Sequence, residues 1–86
     1  MLEIKYSGKA SKQFARIHKG DKKSAEMIMR AVEGYSKDPF GNFDIKTLEG
    51  KHAKFKRLRI GDYRIVFEDD NVNVWIYEIK HRQEAY

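Results

Sequence analysis

A pair of strand-like segments on either side of Gly61-Asp62 constrains the fold of this chain more than any other feature. Phe55–Ile60 is predicted to form one strand and Tyr63–Glu68 its partner, and successive side chains of a strand point to opposite faces of the sheet. Glycine followed by aspartate between two such segments indicates a tight turn. A further apolar segment, Val72–Ile79, follows a second turn at Asp69–Asn71. The pattern therefore predicts a three-stranded meander.

The N-terminal half shows helical periodicity after one short strand. Leu2–Tyr6 alternates apolar and polar residues, which predicts the strand. A first helix is predicted from Ser7 to Gly20, and a second begins at Asp21, because aspartate is a good N-cap. The second helix ends before Pro39, since the residue before a proline is disfavoured in the helical conformation. Its apolar stripe has spacings of three and four and consists of Ala25, Ile28, Met29, Val32 and Tyr35.

Together these elements predict an α+β fold with the order β-α-α-β-β-β. An N-terminal helical hairpin is expected to pack on one face of a small, twisted, mainly antiparallel sheet. Residues Phe40 to Lys51 are expected to form a loop. Consecutive apolar positions in the last strand predict burial on both faces and a central place in the sheet. With 86 residues, the chain is predicted to be a single domain, residues 1–86.

Composition excludes several classes of function. The chain has no cysteine, which removes disulfides, thiolate nucleophiles and cysteine metal sites. Its histidines, His18, His52 and His81, are scattered along the sequence, so we expect no metal site and no cofactor. No apolar run approaches the ~20 residues of a membrane span, and no signal peptide follows Met1. We therefore expect a complete cytoplasmic chain without a membrane partner.

Positive charge is concentrated in one short stretch of the sequence. The formal net charge is +5, from 18 lysines and arginines against 13 aspartates and glutamates. The fourteen residues from Lys51 to Arg64 alone carry +5, because Asp62 is their one acidic residue. Their basic residues are Lys51, Lys54, Lys56, Arg57, Arg59 and Arg64. Such a cluster favours a polyanionic partner.

Strand alternation separates these cations from the core. If Leu58 and Ile60 face the helices, Arg57 and Arg59 project together from the open face of the sheet. Arg64 follows directly after the turn. Guanidinium groups bind phosphate oxygens bidentately, so this arrangement favours a phosphate ligand. The simpler alternative is a solvated sheet face on which each arginine pairs with a carboxylate.

The C-terminal tail adds groups that favour chemistry over simple binding. His81, Arg82 and Tyr86 follow the last strand and are expected beside the same hairpin. Cations, an imidazole that titrates near neutral pH and an aromatic hydroxyl are the groups needed to cleave a phosphodiester without a metal. Their structural alternatives are a strand cap for His81 and an anchor for the tail in the case of Tyr86.

The hairpin and tail also carry a family resemblance. The run Arg57-Leu58-Arg59-Ile60-Gly61-Asp62-Tyr63-Arg64, followed by His81-Arg82 and a terminal Tyr86, resembles the RelE/ParE superfamily of toxins from type II toxin–antitoxin systems. The resemblance spans nearly the whole chain and implies a RelE-like fold. RelE-like members are ribonucleases that cut messenger RNA in the ribosomal A site, whereas ParE-like members inhibit DNA gyrase and lack the nuclease residues. The arginines and the tail tyrosine occur together here, which makes the sequence more similar to the RelE branch.

This resemblance implies roles for specific residues. The implied catalytic residues are Arg57, Arg59, Arg64, His81, Arg82 and Tyr86. In the hypothesis they form, the arginines bind phosphate and stabilise transition-state charge, His81 is the candidate base for the 2′-hydroxyl, and Tyr86 orients the nucleotide. The implied RNA-binding residues are Lys51, Lys54 and Lys56. The implied partners are an acidic antitoxin, messenger RNA in the A site and ribosomal RNA, while a gyrase inhibitor and an inactive binding module stay open as alternatives.

Overall fold

A five-stranded mixed sheet with two helices on one face forms the fold. The computed structural model describes residues 1–48, 50 and 54–83. In chain order the elements are β1 (Glu3–Tyr6), α1 (Gly8–Gly20), α2 (Lys22–Lys37), β2 (Ile45–Thr47), β3 (Lys56–Ile60), β4 (Tyr63–Asp69) and β5 (Asn73–His81). The predicted α+β class and the helical hairpin are confirmed. Neither helix is long and apolar enough to cross a membrane.

The strand order in the sheet is β1-β5-β4-β3-β2. Strands β3, β4 and β5 form the predicted antiparallel meander, and β1 pairs with β5 in parallel. β5 therefore lies inside the sheet, as expected. The prediction that both of its faces are buried is wrong: Val74 and Ile76 are 1% and 2% exposed, whereas Trp75 between them is 38% exposed. The sheet thus has an inner face covered by the helices and an outer face open to solvent.

One strand, β2, lies where a loop was expected. Ile45, Lys46 and Thr47 pair with residues 58, 57 and 56 of β3 in an antiparallel register. Three residues are too few to show a period of two, and two of these three are exposed, so the sequence pattern contains no strand signal. The extra strand extends the outer face beyond β3.

Capping residues fix both helices, and apolar residues of α2 cover the inner face. The Ser7 hydroxyl accepts a hydrogen bond from the Ala10 N–H (3.0 Å) at the start of α1. Asp21 caps α2 as predicted, because its carboxylate accepts from the N–H and the hydroxyl of Ser24 (3.2 and 2.6 Å). From the predicted stripe of α2, Met29 lies outside the core and is 41% exposed. Buried core residues are Ala10, Ile28, Val32, Tyr35, Leu58, Ile65, Phe67, Val74, Ile76 and Ile79.

A β-bulge interrupts the register between β4 and β5. Val66 lies opposite Glu78, but the next residue, Phe67, lies opposite Ile76, so Tyr77 is an extra residue in β5. Because the bulge shifts the alternation by one position, Ile79 faces the core together with Ile76 although the two are three residues apart. The same shift decides which face each later residue of β5 occupies.

Candidate nucleic-acid interface

Strand pairing gathers cations on the outer face of the sheet. Arg57 lies opposite Lys46 of β2, and Arg59 lies opposite Arg64 of β4. Arg64 in turn lies opposite Lys80 of β5. The structure therefore brings Arg64 together with the two arginines that the alternation assigned to the open face, and it adds two lysines beside them.

Arg57, Arg59 and Arg64 line a concave site, which we call the arginine cleft. Its volume is about 250 Å³, and its other two lining residues are Asp44 and Lys46. The backbone N–H of Arg59 donates to the backbone carbonyl of Asp44 (3.0 Å), which holds the segment before β2 against β3. Four cations and one carboxylate thus line the same small volume, so the cleft is suited to an anionic ligand.

Like charges are held close together in this cleft. Burial and the positive charges of Arg57 and Arg59 lower the pKa of the Arg64 guanidinium below its ordinary value, against the opposing effect of the Asp44 carboxylate. An arginine stays protonated under these conditions. Like charges directly opposite each other on paired strands are destabilising. A bound anion would therefore relieve a repulsion that the fold maintains.

The turn between β3 and β4 places a fourth arginine next to the cleft. Gly61 has φ +56° at the first turn position, which suits a two-residue hairpin turn. The N–H of Arg82 donates to the carbonyl of Asp62 (2.7 Å), and Arg82 Nε lies 3.7 Å from Asp62 Oδ1. A second, smaller cleft at this tip is lined by Arg59, Arg64 and Arg82, among others. Arg82 therefore lies beside the arginine cleft, as expected from the sequence.

His81 does not lie with these arginines. Its ring contacts Tyr63 at 5.1 Å between centroids, and it lines a cleft formed with residues of α1 on the inner face. The physical reason is the β-bulge, which places His81 on the same side as the buried Ile79 and leaves Lys80 on the outer side. His81 thus lies beside the hairpin as expected, because it pairs with Tyr63, but on the opposite face of the sheet from the arginines.

Lys56 takes part in a structural ion pair. Its Nζ lies 2.9 Å from Asp69 Oδ1, while the Tyr35 hydroxyl donates to Asp69 Oδ2 (2.5 Å). Burial and this contact with Asp69 raise the pKa of Tyr35. Lys56 therefore stabilises a partly buried carboxylate.

Of the other three predicted residues, the structure describes Lys54. Lys54 is exposed, and its Nζ lies 5.2 Å from the centroid of the Phe55 ring in a cation–π contact. Lys51 and Tyr86 lie outside the described residues. Lys54 is thus exposed at the start of the basic hairpin, where it can contact RNA.

This surface also includes Asp44, Lys46 and Lys80, which no pattern in the sequence connects with the arginines. Asp44 and Lys46 were assigned to a loop, and no periodic signal connects them with Arg57. Lys80 faces outwards because of the β-bulge, which leaves no mark in the apolar pattern of β5. Only the pairing of β2 with β3 shows that Lys46 lies opposite Arg57.

Comparison with known families gives one match to a family model. The family is described as the ParE toxin of type II toxin-antitoxin system, parDE, and its model matches residues 4–86. A comparison with curated proteins gave no match. The family match confirms the resemblance that the hairpin and tail motifs indicated.

Solved structures with a similar fold come from three toxin groups. The YoeB dimer from Staphylococcus aureus has a TM-score of 0.81 and 20% identity, over 93% of this chain and 95% of that chain. YafQ in the Escherichia coli DinJ–YafQ complex has a TM-score of 0.77 and 11% identity, over 99% and 97%. An archaeal RelE–RelB complex from Pyrococcus horikoshii OT3 has a TM-score of 0.76 and 21% identity, over 94% of this chain and 94% of that chain. At these identities the likeness shows the fold alone, and it confirms the predicted architecture.

Proposed function

Since the chain belongs to the ParE toxin family of type II toxin–antitoxin systems, we propose that it inhibits translation by cleaving messenger RNA on the ribosome. The arginine cleft is the observation that carries this proposal. Its four cations converge on one small volume of the open sheet face, and planar guanidinium groups suit the oxygens of a phosphodiester. The substrate is messenger RNA in the A site, ribosomal RNA is a further contact, and the place of action is the cytoplasm.

The proposed reaction is an internal transfer within the RNA. The 2′-oxygen forms a bond to the adjacent phosphorus while the bond from phosphorus to the 5′-oxygen breaks, which leaves a cyclic phosphate and a 5′-hydroxyl. Arg57, Arg59 and Arg64 bind the non-bridging oxygens, whose negative charge increases in the transition state. The chain's own side chains supply this charge stabilisation, so the proposal requires no metal ion.

Two proton transfers complete the reaction. Asp44 contributes a carboxylate to the arginine cleft, and we assign it to accept the proton of the 2′-hydroxyl in place of His81, which lies on the inner face. Arg82 donates hydrogen bonds to the leaving 5′-oxygen from the tip of the hairpin, and this oxygen takes its proton from solvent water. Tyr86, outside the described residues, retains its proposed role of orienting the nucleotide.

Cleavage of ribosome-bound message tests this site. Purified ribosomes carrying a defined message are incubated with the wild-type protein, and primer extension maps and times the cuts. We expect Arg64→Ala to slow cleavage by about 10²-fold or more, because it removes a donor to the developing charge. Asp44→Asn is expected to slow it as well. Arg30→Ala, an exposed cation on α2, is the matched control and should cut at the wild-type rate, whereas equal rates for Arg64→Ala and wild type would refute the assignment.

The proposed partner is a cognate antitoxin. YafQ and the archaeal RelE have been solved in complexes with DinJ and RelB, respectively. A net charge of +5 favours an acidic partner through electrostatic complementarity. Expression of this chain should arrest growth, and co-expression of an adjacent antitoxin gene should relieve the arrest. Growth that continues at the normal rate when the folded wild-type chain is expressed would contradict the toxin role.

Inhibition of DNA gyrase is the second candidate function. The description of the matching family favours it, because the model carries the ParE name. A supercoiling assay with purified gyrase distinguishes the two functions. Loss of supercoiling together with intact message on translating ribosomes would establish inhibition of gyrase and exclude the proposed ribonuclease activity.

A further inference from the structure

A larger cleft lies on the inner face, on the other side of the sheet from the arginine cleft. It has a volume of about 450 Å³ and lies between α1 and the ends of β4 and β5, a size within the range of small-ligand sites. Its main lining residues are Gln13, Arg16, Ile17, Tyr63, Ile79 and His81. We call it the inner cleft. It contains His81, whose imidazole the proposed cleavage does not use.

Two aromatic rings form one wall of the inner cleft. Tyr63 and His81 lie opposite each other across β4 and β5, with ring centroids 5.1 Å apart and planes at 82°. The N–H of Gln83 donates to His81 Nδ1 (3.2 Å), so the neutral ring carries its proton on Nε2. Ile17 and Ile79 add apolar surface. Planar rings beside apolar side chains are the surroundings in which proteins hold an unstacked base.

Polar groups of the helices complete the inner cleft. The Gln13 side-chain oxygen accepts a hydrogen bond from the Ile79 N–H (2.7 Å), which fixes the amide and leaves its NH₂ group to donate. Arg16 is exposed and supplies a guanidinium. The one carboxylate in the lining, that of Asp21, already accepts two hydrogen bonds from Ser24. The NH₂ group of Gln13 and the guanidinium of Arg16 are therefore left to contact a ligand.

The approach to the inner cleft is electropositive. Helix α1 carries four cations and no acidic residue: Lys9, Lys12, Arg16 and Lys19. Lys9 lies 2.6 Å from Glu78, and the other three are exposed. A basic helix surface of this kind attracts a nucleic-acid backbone without regard to sequence. The ligand class that fits aromatic rings, amide donors and surrounding cations together is a nucleotide.

Tyr63 connects this cleft with the cations of the outer face. It lines the inner cleft and also the small cleft at the hairpin tip that contains Arg59, Arg64 and Arg82. We propose that the inner cleft binds one unstacked nucleotide of single-stranded RNA, with the base against Tyr63 and His81 and its phosphate on Arg16. The inference rests on the proposed function and extends it to the inner face. The nucleotide belongs either to the message or to ribosomal RNA.

Titration of the full chain with nucleoside 5′-monophosphates, followed by NMR, tests the binding directly. We expect the ring signals of His81 to shift with the nucleotides and not with ribose 5-phosphate, because the base makes the ring contact. Arg16→Gln should weaken binding about tenfold, the effect of losing one charge-assisted contact. Arg30→Gln, an exposed cation on α2, is the matched control and should bind as wild type. Absence of any His81 shift at millimolar nucleotide would overturn the proposal.

The same titration separates this inference from the proposed cleavage. In an Arg64→Ala background the outer site is damaged, but the His81 shifts should persist. Persistent shifts in a wild-type protein that leaves message intact would refute the cleavage and support the inner cleft. Cleavage by a wild-type protein whose His81 signals ignore nucleotides would refute the inner cleft alone.

Ribosome experiments with Arg16→Gln and His81→Ala identify the source of the nucleotide. Arg16 is exposed, so its substitution leaves the fold intact and controls for any misfolding of His81→Ala. If the nucleotide comes from the message, both variants redistribute the cuts among codons. If it comes from ribosomal RNA, both lower the rate at all codons equally and weaken ribosome binding. Wild-type cut distribution, rate and ribosome affinity in both variants would overturn the proposal.

Discussion

At the scale of single residues, the arginine pair across β3 and β4 combines an unfavourable position for folding with a favourable one for binding. Arg59 and Arg64 lie directly opposite each other, next to Arg57 in the same cleft. Repulsion between like charges at this spacing opposes folding, while a phosphate between them would attract all three. The cleft thus has the character of a functional site that reduces the stability of its fold.

We expect Arg64→Gln to raise the melting temperature by a few degrees at low ionic strength, because it removes one of the repelling charges. The gain should shrink in concentrated salt, which screens the repulsion. Thermal unfolding followed by circular dichroism at both ionic strengths measures it. Arg30→Gln, outside the cleft, should leave the melting temperature nearly unchanged, and a fall for Arg64→Gln at low salt would contradict the repulsion argument.

Substitutions of Lys54 and of Lys56 should have separate effects, one on RNA affinity and the other on the free energy of unfolding. Lys56→Met leaves the Asp69 carboxylate, whose side chain is 13% exposed, without its cation, and we expect it to lower the free energy of unfolding by about 1–3 kcal/mol. Its effect on RNA affinity should be small. Lys54→Gln should behave in the opposite way, with weaker RNA binding and little loss of stability. Urea denaturation and RNA titration of both variants provide the measurements, and reversed phenotypes would exclude these roles.

At the scale of elements, Asp21 joins the two helices. Its N–H donates to the Ile17 carbonyl at the end of α1 (2.6 Å), and its carboxylate caps α2. Hydrogen bonds from the hydroxyl and then the N–H of Ser24 lower the pKa of this carboxyl. Since the folded-state pKa lies below the unfolded value, the stabilisation is complete above about pH 4 and is lost as the pH falls through the folded-state pKa.

Asp21→Asn tests this pH dependence. Asparagine is an equally good N-cap but does not titrate, so the variant should match the wild type near neutral pH. On acidification to about pH 2, which lies below the unfolded pKa of aspartate, its melting temperature should fall less than that of the wild type. Equal losses in the two proteins would show that the Asp21 carboxylate contributes nothing to the acid sensitivity.

The elements with strong periodicity could be predicted from the sequence, and those without it could not. Both helices and the three strands of the meander follow from apolar spacing and from capping at Asp21. Strand β2 was missed because its pairing with β3 depends on a neighbour distant in sequence. The bulge at Tyr77 was missed for the same reason, although it decides that His81 faces inwards. Arg57, Arg59 and Arg64 were therefore predictable as one site, whereas Asp44, Lys46 and the inner cleft were not.

At the scale of the whole molecule, cations lie on both sides of the sheet. The segment from Gly8 to Lys37 contains eight basic and three acidic residues, so the helices are as positive as the hairpin, and carboxylates elsewhere reduce the total to +5. A chain of this kind can contact RNA with two opposite surfaces. Such a distribution fits the proposed action between ribosomal RNA and message.

RNA affinity should therefore depend steeply on salt. For a single strand, the logarithm of the affinity falls with the logarithm of the salt concentration by about 0.7 for each phosphate neutralised. We expect Arg57→Gln and Arg59→Gln each to reduce this slope by about that amount. Arg30→Gln should leave the slope unchanged. Binding isotherms at several salt concentrations give the slopes, and unaltered slopes for both cleft variants would show that these arginines do not contact phosphate.

The parallel pairing of β1 with β5 has a consequence for the time at which this protein becomes native. Glu3 of β1 pairs with Asn73 of β5, so the strand that is synthesised first cannot pair until β5 has also been synthesised. Contacts between such distant parts of a chain also close slowly. The sheet therefore stays incomplete for an interval in which an antitoxin can bind an immature toxin.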